Sequence, residues 1–295
     1  MKKRIVLIAA GVVVLAAALA WCLLQYAEPV YSSGFVMGSV LSQTAWTRSG
    51  WCYSPVDRLL LLEEELNQTD RPTKLALDIM KSSGGAFNPY LGTLIKLWDI
   101  NGEPYVPTQE EIQAALQEKT HDPGAYGKGM ACDEALEELR MLFPRYVTAA
   151  VFDLGGNILT YGKKPWGRPF KIALRDPNGG PNDTMGLFTL KGTHFISTSG
   201  SYEKYFERDG VKYHHIFDPE TGYPACRDPG LVSVTVISTG ENGGAMGDAL
   251  STACFVLGYE NSLELLEKYA CDALFVYEDG AVRPVGGVME YYEAR

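Results

Sequence analysis

A change of hydrophobic period partway along the chain limits its fold more than any other feature. "PVDRLLLLEEELNQ" (55–68), Thr73–Ser82, "TQEEIQAALQEK" (108–119) and Met130–Phe143 repeat at helical spacing. Thr108, three residues before Glu111, has the form of a capping box, and Pro144 stops the last of these helices. From there the pattern becomes short β-branched runs separated by Gly, Pro and Asn: "VTAAVFDL", "FKIALRD", "GLFTLK", "THFISTSG" and "LVSVTVIS". "GGAMGDALSTACFVLG" then returns to helical spacing, and a helix over 261–269 and strands over 273–277 and 281–285 close the chain. Earlier, "FVMGSVLSQTAW" (35–46) reads as one strand entering the domain after a linker over 25–34. Helices in front, strands behind and a helical return define an α+β chain.

The first segment is of another kind. Lys2, Lys3 and Arg4 precede an uninterrupted apolar run from Ile5 to Leu24. About 20 such residues suffice to span a bilayer as a helix, and the flanking charges place the N-terminus in the cytoplasm. The expectation is a transmembrane anchor or signal segment over 1–28 and a body over 29–295 outside the cytoplasm, at the cell membrane. A cleaved signal peptide and a lipid-modified Cys22 are the alternatives, and Trp21 fits a lipoprotein cleavage site badly. The other cysteines, Cys52, Cys132, Cys226, Cys254 and Cys271, show no CxxC pairing and read as plain thiols. A net charge of −10 argues against nucleic acid as a partner.

Several stretches can carry chemistry. Asp248 and Thr252 sit at i and i+4 on the returning helix, so carboxylate and hydroxyl share a face. Both are hard oxygen donors suited to Mg²⁺. The Gly-rich "TGENGGAMG" before them presents a helix N-terminus, which favours phosphate. Read structurally, the same residues are a dipole-favoured Asp and a Thr bonded to its own helix. "DPGAYGKG" (122–129) packs glycines around Lys128 without P-loop spacing. "FDLGGNI" (152–158) runs a strand into paired glycines. "HHIFDPETGYP" (214–224) places two of the four histidines beside an acid, a Thr and a Gly between two prolines.

The order of these blocks resembles the ApbE family of exported FAD:protein FMN transferases. The matching blocks are Met37-Gly38-Ser39, "GGAFNPYLGTLIKLW", "DPGAYGKGMACD", "FDLGGNI", "TSGSYEKYF", "YHHIFDPETGYP" and "GDALSTACFVLG", together spanning nearly all of 35–285. The resemblance implies a single ApbE-type, T-fold-like α+β catalytic domain behind the N-terminal helix. It implies FAD as substrate, Mg²⁺ as cofactor, and transfer of FMN to a Thr or Ser hydroxyl of an exported or membrane flavoprotein, of the Rnf or Nqr kind, with release of AMP. By position, Asp248 and Thr252 would be side-chain metal ligands, completed by backbone carbonyls of Ser251 and Gly127. His215 would be the functional histidine beside a structural His214, and His215 and Asp248 the catalytic pair. Lys128, Gly155, Gly156 and Asp218 would line the flavin or phosphate site, with Met37 near the adenine.

This sequence departs from the family pattern in three places. The segment after the first helix is short, Asn88 stands for the usual Asp, and Ser39 for Thr. The rival functions are an FAD pyrophosphatase, in which water replaces the acceptor hydroxyl, and a non-catalytic exported flavin-binding protein.

Overall fold

The structure, a computed structural model, describes residues 12–19, 22, 26–48, 54–142, 146–180 and 182–295. The apolar run 5–24 lies largely outside the described residues, although 12–19 are helical. Among the described residues no helix is long and apolar enough to cross a membrane.

The domain opens with a hairpin. Strands β1 (Glu28–Val36) and β2 (Ser39–Thr47) pair antiparallel from Glu28↔Thr47 to Val36↔Ser39. The expected linker over 25–34 and single strand over 35–46 are therefore corrected to two strands and a tight turn. Met37 and Gly38 form that turn with φ of +51° and +64°, the pair of positive values that a two-residue hairpin needs. Met37 is the unusual member, and its N–H is fixed by Glu63 at 3.0 Å.

Helices α1 (Val56–Gln68), α2 (Lys74–Ser82), α3 (Gly92–Trp98) and α4 (Gln109–Gln117) follow, α4 with both bonds of its capping box in place. A 3₁₀ turn over Pro123–Ala125 feeds α5 (Gly127–Leu142), which starts three residues ahead of the expected Met130. Next come β3 (Val147–Leu154), β4 (Asn157–Gly162), β5 (Phe170–Arg175), β6 (Thr184–Leu190), β7 (His194–Gly200), β8 (Tyr205–Arg208), β9 (Val211–His214) and β10 (Leu231–Ser238). Helices α6 (Gly243–Leu257) and α7 (Tyr259–Lys268) precede β11 (Asp272–Tyr277), β12 (Val282–Val285) and β13 (Tyr292–Ala294). The β8–β9 hairpin is an addition to the elements expected from sequence, although its Asp209-Gly210 turn, with φ of +53° and +75°, is a hairpin signal.

Eight strands form one sheet in the order β1-β2-β3-β4-β7-β10-β11-β12. A second sheet, β13-β6-β5, covers part of one face. Ile172, Leu174, Phe188 and Leu190 of the small sheet pack there on Ile196, Ile237, Leu274 and Val276 of the large one. The other face holds α5 and α6, and α6 is buried almost throughout because it lies between the sheet and its neighbouring helices. Its glycines serve contact rather than flexibility: a Cβ on Gly247 would lie 2.9 Å from the hydroxyls of both Ser197 and Ser238. Every strand pair of the large sheet is antiparallel, so its two ends carry different turns. The Met37–Gly38 and Gly155–Gly156 turns and the end of β7 meet at one end. Glu28, Thr47, Val147 and Gly162 mark the other.

Candidate active site

A cleft of about 420 Å³ opens at the first of these ends. Lys128, Gly155, Ser199, Lys204, His215, Asp248 and Thr252 all line it. A smaller pocket of about 190 Å³ adjoins it, with Met37, Glu63, Leu66 and Gly127 in its wall, and shares Ser39, Gly124, Lys128 and Lys204 with the cleft.

Asp248 sits on the second turn of α6 and is buried. Its Oδ2 accepts the Gly129 N–H of α5 at 2.9 Å, and its Oδ1 accepts from Asn157 Nδ2 at 3.2 Å. Burial raises its pKa above the ordinary carboxylate value, opposed first by the nearby Lys128 ammonium. One turn on, Ser251 donates to the Asp248 carbonyl at 2.9 Å. The Ser199 hydroxyl of β7 joins the pair, 2.8 Å from Ser251 Oγ and 3.2 Å from Thr252 Oγ1. The result is a row of hard oxygen atoms around one under-compensated carboxylate, a donor set whose chemistry fits Mg²⁺. Among the described residues no three His, Cys, Asp or Glu side chains gather to hold a metal. A cation here would depend on hydroxyl and carbonyl oxygens beside the single carboxylate.

His215 leaves β9 into the loop over 215–224. Its backbone N–H and its Nδ1 both meet the Lys204 carbonyl, at 3.1 and 3.2 Å. Nδ1 therefore carries the ring proton and Nε2 keeps the lone pair. Burial first, then the Lys204 and Lys128 charges, pushes the His215 pKa down to about 4. The ring is thus neutral near pH 7. His214 is structural, as its position implied: Nε2 donates to the Ala225 carbonyl at 3.1 Å, Nδ1 accepts the Ile216 N–H, and the ring stands edge-on to Phe255. The loop behind them is stiff. Trp98 Nε1 donates to the Gly222 carbonyl at 3.0 Å, and a Cβ on Gly222, whose φ is +73°, would lie 2.4 Å from Ile112.

Lys128 points across the Gly155–Gly156 turn, its Nζ donating to the Gly155 carbonyl at 3.2 Å. Both glycines have positive φ, and a Cβ on Gly155 would strike the Ser39 hydroxyl at 2.7 Å. Gly155 reaches the cleft, while the Gly156 carbonyl is taken by the Thr198 N–H at 3.1 Å.

Two expectations are corrected. Asp218 does not line the cleft: Oδ1 accepts the Glu220 N–H at 2.9 Å and Oδ2 faces Arg227 Nη2 at 3.3 Å, so its carboxylate holds the loop together. Nor does it orient His215, whose proton goes to Lys204. Gly127 lines the smaller pocket, while Gly124 and Ala125 before it line the cleft; its carbonyl as a metal ligand stays a proposal. Finally, the N-terminus of α6 is not open to phosphate. The Gly244 and Ala245 N–H groups donate to the Asp133 carboxylate of α5, both at 2.8 Å, and burial pushes that carboxyl up to about 6. Sequence reasoning also missed Ser199, Lys204 and Asp122. All three lie inside quoted blocks, but only the fold turns them toward the cleft.

Two lysines, a neutral imidazole and a buried carboxylate among hydroxyls, at the mouth of an antiparallel α+β domain, define a site for an anionic, oxygen-rich ligand. The ApbE family's sequence profile matches residues 66–275, and the chain belongs to that family. It is 31% identical over 296 residues to an FAD:protein FMN transferase of Klebsiella pneumoniae, covering 84% of this chain and 89% of that protein. It is 35% identical over 252 residues to one of Treponema pallidum, covering 73% and 67%. The crystal structure of an ApbE protein from Thermotoga maritima superposes with a TM-score of 0.74 at 25% identity, covering 90% of this chain and 99% of that one. A histidine-to-glycine mutant of the flavin transferase ApbE from Vibrio cholerae gives 0.72 at 25% identity, over 90% and 99%.

Proposed function

We propose that this chain moves the FMN half of FAD onto a Thr or Ser hydroxyl of a partner flavoprotein, releasing AMP. The observation that carries the reading is the convergence of His215, Lys128, Lys204, Asp248 and Thr252 on one cleft in a member of this family. The two cavities together give a dinucleotide two adjoining compartments, and the lysines stand where the compartments meet. Their charges suit the pyrophosphate between the two halves of FAD. Asp248 and Thr252, with carbonyls from neighbouring backbone, would hold Mg²⁺, which when bound offsets charge on the phosphate oxygens and on departing AMP.

His215 is the proton acceptor in this reading. Its Nδ1–H is anchored on Lys204, so Nε2 is the atom that takes the acceptor's hydroxyl proton. A pKa of about 4 makes it a weak base in the free protein, and an anionic phosphate beside it raises that value. His215→Ala is expected to lower turnover roughly 10²–10⁴-fold. The kcat/KM profile, which follows the free protein, is expected to hold level from about pH 8 downward and to fall only as pH approaches the His215 value of about 4, whereas kcat falls at a higher pH. The sign follows from protonation: acid places a proton on Nε2 and removes the base. A kcat/KM profile falling with a midpoint near about 6.5, the ordinary histidine value, would refute this assignment.

The acceptors proposed are subunits of the Rnf or Nqr kind, and the body is proposed to lie outside the cytoplasm, tethered by the Ile5–Leu24 run. The deciding assay gives the protein FAD, Mg²⁺ and such an acceptor, and follows acceptor mass together with free AMP. An FMN-sized gain in mass with matching AMP supports the transferase. FMN and AMP without labelling of any acceptor tested would make it a pyrophosphatase, and FAD bound but unchanged would make it a flavin-binding protein.

A further inference from the structure

The sheet end opposite the cleft carries a cluster unlike the rest of this acidic chain. "YGKKPWGRPFK" (161–171) leaves β4, makes a 3₁₀ turn over Pro165–Gly167 and enters β5. Lys163, Arg168 and Lys171 are exposed. Lys164 lies over the Trp46 ring at 4.5 Å, and the neighbouring Arg168 and Lys171 charges reinforce the lowering of its pKa by burial. None of these four bases is within salt-bridge distance of a carboxylate among the described residues. Positive charge is therefore gathered here without a salt bridge among the described residues, in a chain of net charge −10.

Aromatic rings stand among the charges. Trp166 is 52% exposed and Tyr146 54%. Trp166 also has a φ of +63°, a conformation that costs a bulky residue energy. The turn leaves about half of this ring exposed beside the lysines.

The strand register ties this end to the N-terminal segment. Glu28 pairs with Thr47, Thr47 with Val147, and Ala149 with Gly162, so β1 begins at the end of the sheet from which the basic turn projects. The apolar run ends at Leu24, four positions before Glu28, and four residues reach at most about 14 Å. Whatever holds the apolar run therefore lies within about 14 Å of the start of β1, at the same end of the sheet as the Lys163–Lys171 turn. The cleft is at the far end, one β3 length away, roughly 26 Å for eight residues.

We propose that the Lys163–Lys171 turn, with Trp166 and Tyr146, is a docking surface for an anionic phospholipid bilayer, which stands the domain upright with its cleft facing away from the membrane. Lysine and arginine are drawn to anionic headgroups, and Trp and Tyr favour the interfacial layer. The proposal rests on the reading that the Ile5–Leu24 run is membrane-bound. It adds an orientation: the acceptor hydroxyl is met roughly 25 Å above the headgroups, the height set by the strand length.

The test uses the full chain with vesicles of phosphatidylglycerol and phosphatidylcholine containing lipids brominated near the headgroup. Quenching by those lipids is compared between the wild type and Trp166→Phe, so that the difference reports Trp166 alone. The expected result is Trp166-dependent quenching in anionic vesicles, falling at least about two-fold in pure phosphatidylcholine, in about 0.5 M salt, and when Lys163, Lys164, Arg168 and Lys171 are all changed to Gln. That fourfold variant is expected to keep wild-type activity on a soluble acceptor and lose activity on a membrane-embedded one. A chain that stays inserted but shows no Trp166-dependent quenching overturns the proposal. So does a patch that binds a soluble polyanion while Trp166 stays unquenched by lipid. A chain washed from vesicles by alkaline carbonate refutes the anchor alone, and the Trp166 signal in untreated anionic vesicles still decides the surface.

Discussion

Asp248→Asn is expected to cut flavin transfer by about 10²–10⁴-fold, roughly 3–5 kcal/mol of transition-state stabilisation, while leaving the melting temperature unchanged or higher. Loss of activity with preserved stability follows from the way the carboxylate is held. Its folded pKa is raised because burial penalises the charge. A raised carboxyl pKa means the ionised form destabilises the fold once pH exceeds the unfolded value, so removing the charge relieves a cost at neutral pH. The hydrogen bonds adapt as well. The Gly129 N–H still finds a carbonyl oxygen, and a flip of the Asn157 amide turns its Oδ1, buried without a partner among the described residues, toward the introduced NH₂. Mg²⁺ titration gives the second readout: the wild type gains melting temperature with Mg²⁺ by mass action, and the variant does not. An equal Mg²⁺ response in both proteins would remove Asp248 from the metal site.

Much of this arrangement is legible in the residues, and most of the parts that are not share a physical reason. Strands β3 and β10 read correctly to the residue, since β-branched runs bounded by Gly, Pro or Asn have few other solutions. The Thr108–Glu111 cap is settled among four neighbouring residues and shows itself directly. Asp248, Thr252, Lys128 and His215 are brought together as the resemblance implied. Most of what failed depends on distant pairing. Asp133 meets Gly244 and Ala245 from 111 and 112 positions away, so nothing near "TGENGGAMG" in the sequence opposes its phosphate-friendly look. Asp218 sits inside the same motif as His215, but Arg227 and the loop's own amides claim its oxygens. Met37–Gly38 reads as strand interior because Met continues the apolar alternation, and only the Glu63 contact reveals why it turns.

Gly129→Ala should be among the most damaging additions of a single methyl group to the described residues. Helices α5 and α6 touch backbone to backbone at this point. A Cβ on Gly129 would lie 2.2 Å from the Gly244 carbonyl oxygen, 2.5 Å from its carbon and 2.7 Å from Asp248 Cβ. None of these atoms is the loose end of a side chain. Relief requires moving α6, which is packed on β7 and β10 behind it. Overpacking of this kind costs about 1–3 kcal/mol and sometimes more, and rigid backbone on both sides places this site at the upper end. The same shift pulls the Gly129 N–H away from Asp248, so activity falls beyond what the loss of folded protein explains. Gly127→Ala, two residues earlier, is the control. Its Cβ would meet only Leu66 Cδ1, at 3.5 Å, an ordinary contact, and alanine at a compatible backbone position stabilises by about 0.4–1 kcal/mol by narrowing the unfolded ensemble. Thermal melts of the two variants side by side should therefore diverge. Gly129→Ala should melt well below the wild type and lose transfer, and Gly127→Ala should melt at or above it. Equal melting of the two would mean that α5 and α6 do not meet as closely as Gly129 and Gly244 require.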